Sequence, residues 1–136
     1  LRETVLPSLS LIDTGGAALR TSLGGLIENS IYLNLLEGKG FLRDISGWKK
    51  SSRAPVEVDF IVKVDGHPIP LEIKAAKKVN EKFMSPILEY LRYSGGKLGI
   101  LGTAAPYQVF PLGDKTIVNL PLYYCSSSGI CMVAAS

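Results

Sequence analysis

The sequence contains few of the residues that indicate a zinc site, a disulfide framework or a membrane span. It has one histidine and two cysteines, Cys125 and Cys131, both in a Ser/Gly-rich stretch near its end. Two thiols without a neighbouring histidine do not form a zinc site, so we expect free thiols in a cytoplasmic protein. No apolar run approaches the roughly 20 residues of a membrane span, and no signal peptide is visible at Leu1. We therefore expect no membrane partner.

Composition and charge favour one globular domain with a basic central segment. The 136 residues are 46% hydrophobic and 20% charged, with a net charge of +3. Such a chain buries a core without disulfides. The segment 39–82 holds ten Lys/Arg against six Asp/Glu, whereas segment 1–38 is acidic. This excess suits a phosphate-bearing partner, although a run of charges also occurs on ordinary solvated faces.

Hydrophobic periodicity predicts an α/β fold with a mixed central sheet flanked by helices. We expect a lead-in segment over residues 1–22, an α/β domain over 23–124 and a tail over 125–136. The predicted helices are Gly24–Leu36 and Ser85–Tyr93, the second with Ser85 as N-cap before Pro86. The predicted strands are Phe41–Trp48, Val56–Val64, Ile69–Ala75, Lys97–Leu101, Tyr107–Leu112 and Lys115–Leu120.

A predicted hairpin carries the polar residues of most interest. Asp65-Gly66 is a strong turn signal between two alternating strands, which makes those strands antiparallel neighbours. Asp59 and Glu72 would then lie side by side on the face opposite Val58, Phe60 and Val62. Two adjacent carboxylates need a positive charge between them, either Lys74 or a divalent cation such as Mg²⁺. The alternative is an ordinary solvent-facing hairpin with a cross-strand salt bridge.

Glu28 is a candidate third carboxylate on the first predicted helix. Its helical neighbours Ile31, Tyr32 and Leu35 are apolar, which places it towards the core. A buried carboxylate needs a cationic partner because an unpaired one is very costly. Glu57 shares the predicted face of Asp59 and is the weaker candidate for the same role.

The order Glu28, Asp59, Glu72-Ile73-Lys74 resembles the Glu, Asp, Glu-x-Lys signature of the PD-(D/E)XK nuclease superfamily, with a restriction-endonuclease-like core. The runs Gly25–Asn29, Trp48-Lys49, Glu57–Phe60 and Leu71–Ala75 are more specifically similar to one branch. That branch is the uncharacterised C-terminal domain of a bacterial and archaeal AAA-type ATPase family. The resemblance covers roughly residues 8–122. Val58 stands where the superfamily name has a proline, and no G-x-x-x-x-G-K-[ST] run is present.

The resemblance implies a function and the residues that perform it. Asp59 and Glu72 would bind Mg²⁺ (or Mn²⁺), Lys74 would position or activate the attacking water, and Glu28 would be an accessory ligand. The implied activity is metal-dependent hydrolysis of DNA phosphodiester bonds. The alternative is a non-catalytic module of nuclease fold that serves an AAA-type ATPase in specificity or assembly, since a fold does not guarantee its chemistry.

A basic set of residues is predicted to meet the phosphates of DNA, although a solvated loop is equally compatible with it. The set is Lys49, Lys50, Arg53, Lys77 and Lys78, with residues 49–53 expected in an exposed turn. Trp48, which precedes them, either stacks on a base or packs at the end of its strand. His67 is expected at the surface without a catalytic role.

Overall fold

The computed structural model describes residues 25–27, 30, 31, 42–50 and 55–135. Within this part of the chain, residues 25–27, 30 and 31 are helical and six strands form one sheet. The strands are β1 (Leu42–Lys50), β2 (Val56–Val64), β3 (His67–Ile73), β4 (Leu98–Thr103), β5 (Gln108–Leu112) and β6 (Lys115–Pro121). The helices are α1 (Ser85–Ser94) and α2 (Ser127–Ala135), with 3-10 turns at Glu81–Phe83 and Leu122–Tyr124.

The sheet is mixed, with the order β1-β2-β3-β4-β6-β5. Strands β1, β2 and β3 are antiparallel neighbours, β3, β4 and β6 run parallel, and β5 returns antiparallel to β6. The predicted hairpin is present, and both Asp65 (φ 51°) and Gly66 (φ 80°) have the positive φ of a tight two-residue turn. The crossover from β3 to its parallel neighbour β4 contains α1. The predicted α/β architecture with a mixed sheet is therefore confirmed.

The two faces of the sheet are covered by different helices. One face, here the α2 face, carries Phe60, Leu71 and Ile100, and it packs against Ile31 and against Ile130 of α2. The other, here the α1 face, packs Leu101 and Ile117 against α1. Burial on both sides explains why the central strands are apolar at successive positions. Within the described residues no helix is long and apolar enough to cross a membrane.

The first half of β2 departs from the predicted alternation. Between the pairs Ser46–Ile61 and Trp48–Val58, β2 contains one residue more than β1, which is a bulge. Val58 consequently packs with Ile61 and Tyr90 on the α1 side. The prediction that Val58 shares the face of Phe60 and Val62 is therefore wrong, because strict alternation takes no account of the extra residue.

Several predicted features also differ. Strand β3 is predicted over Ile69–Ala75 but spans His67–Ile73, so Lys74 follows the strand. Strand β1 continues to Lys50, so Lys49 and Lys50 belong to a strand rather than to an exposed turn. Helix α1 begins at Ser85 but its N-cap is Met84, and no side chain caps it. The segment predicted as a tail forms α2, whose Ile130 is fully buried against the sheet. Residues 1–22, Phe41 and most of the first predicted helix lie outside the described residues.

Candidate functional site

Two hydrogen bonds join Asp59 to the end of β3, one to Glu72 and one to Ile73, where the β2–β3 ladder stops. Regular pairing ends at Phe60–Leu71. Beyond it, the Asp59 N–H donates to Glu72 Oε1 at 3.1 Å, and the Ile73 N–H donates to Asp59 Oδ2 at 2.8 Å. The β2 bulge lies at this point, so the side-chain carboxylates accept backbone N–H groups that the irregular ladder leaves available. The structure therefore brings the two predicted carboxylates together.

Burial makes the Glu72 carboxyl an unusual acid. Its side chain lies on the α1 face of the sheet, and the residue is only 3% exposed. Burial, followed by the hydrogen bond and the charge of the adjacent Asp59 carboxyl, raises the pKa of Glu72 to about 8. The Asp59 N–H and the charge of Lys74 oppose this increase in pKa only in part. A buried carboxyl with a strongly perturbed pKa beside a second carboxyl is typical of a functional site.

Lys74 is the first residue after β3 and its backbone is fixed. Its N–H donates to Gly102 O at 2.9 Å, which ties the end of β3 to β4. Its Nζ lies 6.0 Å from the centroid of the Phe83 ring. None of the ion pairs found among the described residues involves Lys74. Its charge nevertheless lowers the pKa of Glu72, so the Lys74 ammonium acts on the Glu72 carboxyl without an ion pair among the residues that the structure describes.

Two carboxylates suit an ion that keeps several of its water ligands, such as Mg²⁺, and do not suffice for a metal site made entirely of protein ligands. The described residues contain no cluster of three or more His, Cys, Asp or Glu side chains. Glu57 is 65% exposed and pairs with Lys49 at 3.2 Å, so it faces away from the pair. Glu28 lies outside the described residues. Mg²⁺ is commonly held by one or two carboxylates while keeping several waters, and Asp59 with Glu72 supplies that number.

The predicted phosphate-binding set divides into two groups. Lys49 pairs with Glu57, and Lys50 pairs with Glu89 at 3.5 Å, so both are partly neutralised. Lys77 and Lys78 lie on the exposed segment after β3, and the ion pairs among the described residues do not include them. Both line an open cavity of about 690 Å³ beside α1. Arg53 lies outside the described residues.

A buried polar pair beside the site was missed by the sequence analysis. Asn119 and Thr103 are both fully buried, and the Thr103 hydroxyl donates to Asn119 Oδ1 at 2.8 Å. The Asn119 amide donates to the carbonyls of Ala105 (3.1 Å) and Pro106 (2.9 Å). The Ala104 N–H donates in turn to Ala76 O, two residues beyond Lys74.

This pair therefore holds the loop after β4 against the segment that carries Lys74. The signal in the sequence is one polar residue that ends the apolar strand β4 and another that stands among the apolar residues of β6. A buried polar side chain at such a position requires a partner.

Trp48 and His67 have the surroundings expected of structural and surface residues respectively. The Trp48 ring meets Tyr90 edge-on, with centroids 5.3 Å apart, and packs with Val58 and Ile61. His67 is exposed at the start of β3. Both cysteines are free thiols, and burial raises the pKa of Cys125 to about 12.

Comparison with known proteins places the chain in a family without assigning it an activity. The fold is similar to that of a chain in the structure described as "Refined half-complex from tetradecameric assembly of Thermococcus gammatolerans McrB AAA+ hexamers with bound McrC". The TM-score is 0.59 at 12% identity, and the match covers 72% of this chain but only 27% of that one. No curated protein matches the sequence. Residues 23–123 match the family described as a domain of unknown function, DUF4143, and the chain belongs to that family.

Proposed function

We propose that this chain is a PD-(D/E)XK-type nuclease domain that hydrolyses DNA phosphodiester bonds with Mg²⁺ or Mn²⁺. The observation that carries the proposal is the Asp59–Glu72 pair, formed at a bulge where two strands separate, with Lys74 two residues further on. The raised pKa of Glu72 supports it, because a divalent cation offsets the repulsion between two carboxylates in a buried position.

Each residue has a distinct role in this proposal. Asp59 and Glu72 would hold the metal, and Glu28, on the first predicted helix, would add a third carboxylate. When bound, the ion stabilises negative charge on the phosphate and lowers the pKa of its water. Lys74 orients the attacking water and stabilises the charge that develops on the phosphate. The hydrogen bond from Lys74 N–H to Gly102 O fixes the start of that side chain.

The basic residues bind the DNA backbone. Lys77 and Lys78 follow Lys74 within four residues and are exposed, which suits contact with phosphates next to the scissile bond. Lys49 and Lys50, at the end of β1, and Arg53 are the other predicted contacts with the DNA backbone. Neutralised phosphates release counterions, so binding should weaken steeply as the salt concentration rises.

Cleavage of DNA by the purified chain tests the proposal. Single-stranded, duplex and branched substrates are incubated with Mg²⁺ or Mn²⁺, with EDTA as the metal-free control. We expect cleavage that Lys74→Ala reduces by about a hundredfold or more, because one preorganised electrostatic contact is typically worth that factor. Lys82→Ala is the matched control, since Lys82 is an exposed lysine on the nearby 3-10 turn, and it should cleave normally.

Two outcomes would contradict the proposal. Cleavage that persists in EDTA would show that the metal is not required. Equal loss of cleavage in Lys74→Ala and Lys82→Ala would show that Lys74 acts through the overall positive charge of the chain and not through a specific role at the site.

A second candidate function is a non-catalytic module of the same fold that associates with an AAA-type ATPase. The similarity to a chain of an assembly that contains McrB AAA+ hexamers favours it. If the unmutated chain cleaves no substrate, and sedimentation shows that Lys74→Ala impairs its assembly with a purified AAA+ ATPase, this function replaces the first. A cytoplasmic location suits either function.

A further inference from the structure

An aromatic cluster with an exposed rim lies between β1 and α1. We call Trp48, Tyr90 and Tyr93 the aromatic patch. Trp48 meets Tyr90 edge-on at 5.3 Å and lies tilted against Tyr93 at 5.6 Å, measured between ring centroids. Tyr90 is buried, whereas Tyr93 is 75% exposed. The patch therefore combines a tyrosine ring that is buried in the core, Tyr90, with one that faces solvent, Tyr93.

Two cations share one carboxylate beside the patch. Glu89 receives Lys50 Nζ on one oxygen at 3.5 Å and Arg92 Nη2 on the other at 3.3 Å. Lys50 is two residues from Trp48, and Arg92 precedes Tyr93. These three side chains together carry one net positive charge, which lies next to the exposed ring. Both cations are well exposed and can reach a ligand.

The patch lies next to the carboxylate pair on the α1 side of the sheet. Trp48 is the register partner of Val58, and Val58 adjoins Asp59 in β2. The bulge that frees the Asp59 N–H also turns Val58 towards Tyr90, so one irregularity forms both features. Glu72 pairs with Leu101, which packs under α1, so its side chain is on this side as well.

We propose that the aromatic patch, together with Lys50 and Arg92, binds unpaired nucleobases of a strand whose backbone reaches Asp59 and Glu72. The inference rests on the proposed nuclease function and names its substrate class, which is a nucleic acid with single-stranded nucleotides. A base stacks on the exposed Tyr93 ring because every base has a π face, and the adjacent phosphates meet Lys50 and Arg92. In a regular duplex the bases are already stacked on each other and cannot occupy the ring.

Tyrosine, tryptophan and arginine are also enriched at protein interfaces, so a protein partner is the competing occupant. The residual positive charge and the position beside the carboxylate pair favour nucleic acid. A nucleic-acid strand bound across the patch would have its backbone next to the two carboxylates, where it could be cleaved. Binding of a protein partner does not require the patch to lie beside them.

Trp48 is the only tryptophan in the sequence, so the tryptophan fluorescence of the chain reports on the surroundings of this ring. The chain is titrated in EDTA, where no cleavage occurs, with an oligodeoxythymidylate of about 12 nucleotides. The second probe is a strand of the same length without bases, and the third is a duplex. We expect the base-bearing strand to quench Trp48 fluorescence and to bind about tenfold more tightly than the abasic strand or the duplex.

Substitutions at the exposed ring separate stacking from other causes. Tyr93→Ala should weaken binding of the base-bearing strand by about tenfold and leave the abasic strand unchanged, whereas Tyr93→Phe keeps the ring and should bind normally. Tyr123→Ala is the matched control, because Tyr123 is 80% exposed but lies after β6, away from the patch, and it should have no effect.

The outcomes distinguish this inference from the proposed function. Equal binding of base-bearing and abasic strands, or an unchanged affinity in Tyr93→Ala, overturns the inference even if the chain cleaves DNA. Stacking in EDTA without any cleavage in Mg²⁺ supports the inference and overturns the nuclease function. A chain that binds none of the three probes overturns the inference and leaves the patch as a protein contact.

Discussion

Replacing Glu72 by glutamine removes an ionisable group from the interior and preserves its shape. The amide oxygen still accepts the Asp59 N–H, which Glu72 Oε1 accepts at 3.1 Å. In the native chain the protonated Glu72 carboxyl forms a hydrogen bond with the Asp59 carboxyl. The amide nitrogen of the glutamine can donate to Asp59 in its place. The substitution therefore tests whether the buried carboxyl itself limits stability in the absence of a metal ion.

The sign and size of the effect follow from the two pKa values. Glu72 has a pKa of about 8 in the folded chain, against the ordinary pKa of 4.5 for an unperturbed glutamate. Between these values the folded state retains a proton that the unfolded state has released, so the free energy of unfolding decreases as pH rises. Each pH unit in this window costs about 1.4 kcal/mol, which amounts to some 2–3 kcal/mol between pH 5 and pH 7. Below pH 4.5 and above pH 8 this dependence vanishes.

Urea unfolding at pH 5, 6, 7 and 8 in EDTA measures this dependence. We expect Glu72→Gln to lack the decrease, so that it matches the unmutated chain near pH 5 and exceeds it in stability by several kcal/mol at pH 8. Glu57→Gln is the matched control, because Glu57 is an exposed glutamate of the neighbouring strand β2 and pairs with Lys49 at the surface. Its pH profile should follow that of the unmutated chain.

Parallel pH profiles for the unmutated chain and Glu72→Gln would refute this reasoning. Such a result would mean that Glu72 does not retain its proton in the folded state, so that its burial does not control its ionisation. A loss of stability in Glu72→Gln at every pH would instead mean that the charged carboxylate stabilises the strand end, which is the opposite of the predicted sign.

Three further results are expected. Mn²⁺ at a hundred times its dissociation constant should add about 2.7 kcal/mol to the free energy of unfolding, and Asp59→Ala should remove that gain while NaCl at equal ionic strength gives none. Asn119→Ala should cost about 2–4 kcal/mol in urea unfolding, because it removes three hydrogen bonds and leaves the buried partners of two of them unsatisfied. Ile130→Ala should cost about 2–5 kcal/mol by thermal unfolding, whereas Ser128→Ala, exposed on the same helix, should stay within about 0.5 kcal/mol. An unchanged Ile130→Ala would show that α2 is not part of the cooperative unit.

The sequence by itself determined the β2–β3 hairpin and the approximate place of the carboxylate pair. Alternating side chains in Val56–Val64 and an Asp-Gly turn are local signals, and they act between residues close in the chain. The turn fixes the register of the two strands, so Asp59 and Glu72 must meet whatever the rest of the chain does. Helix α1 was predictable for the same reason, since Pro86 and Gly95 mark its two ends.

Only the tertiary structure decided how these residues are surrounded. The bulge that turns Val58 towards Tyr90 arises from the register of β1 against β2, which no local pattern encodes. The pKa of Glu72 depends on burial beneath elements distant in sequence, and the packing of α2 depends on the apolar face that the finished sheet presents. Local periodicity specifies which residues form a strand or helix. The contacts between elements are set by the total free energy of long-range packing, and this is why the sequence located the site but did not describe its environment.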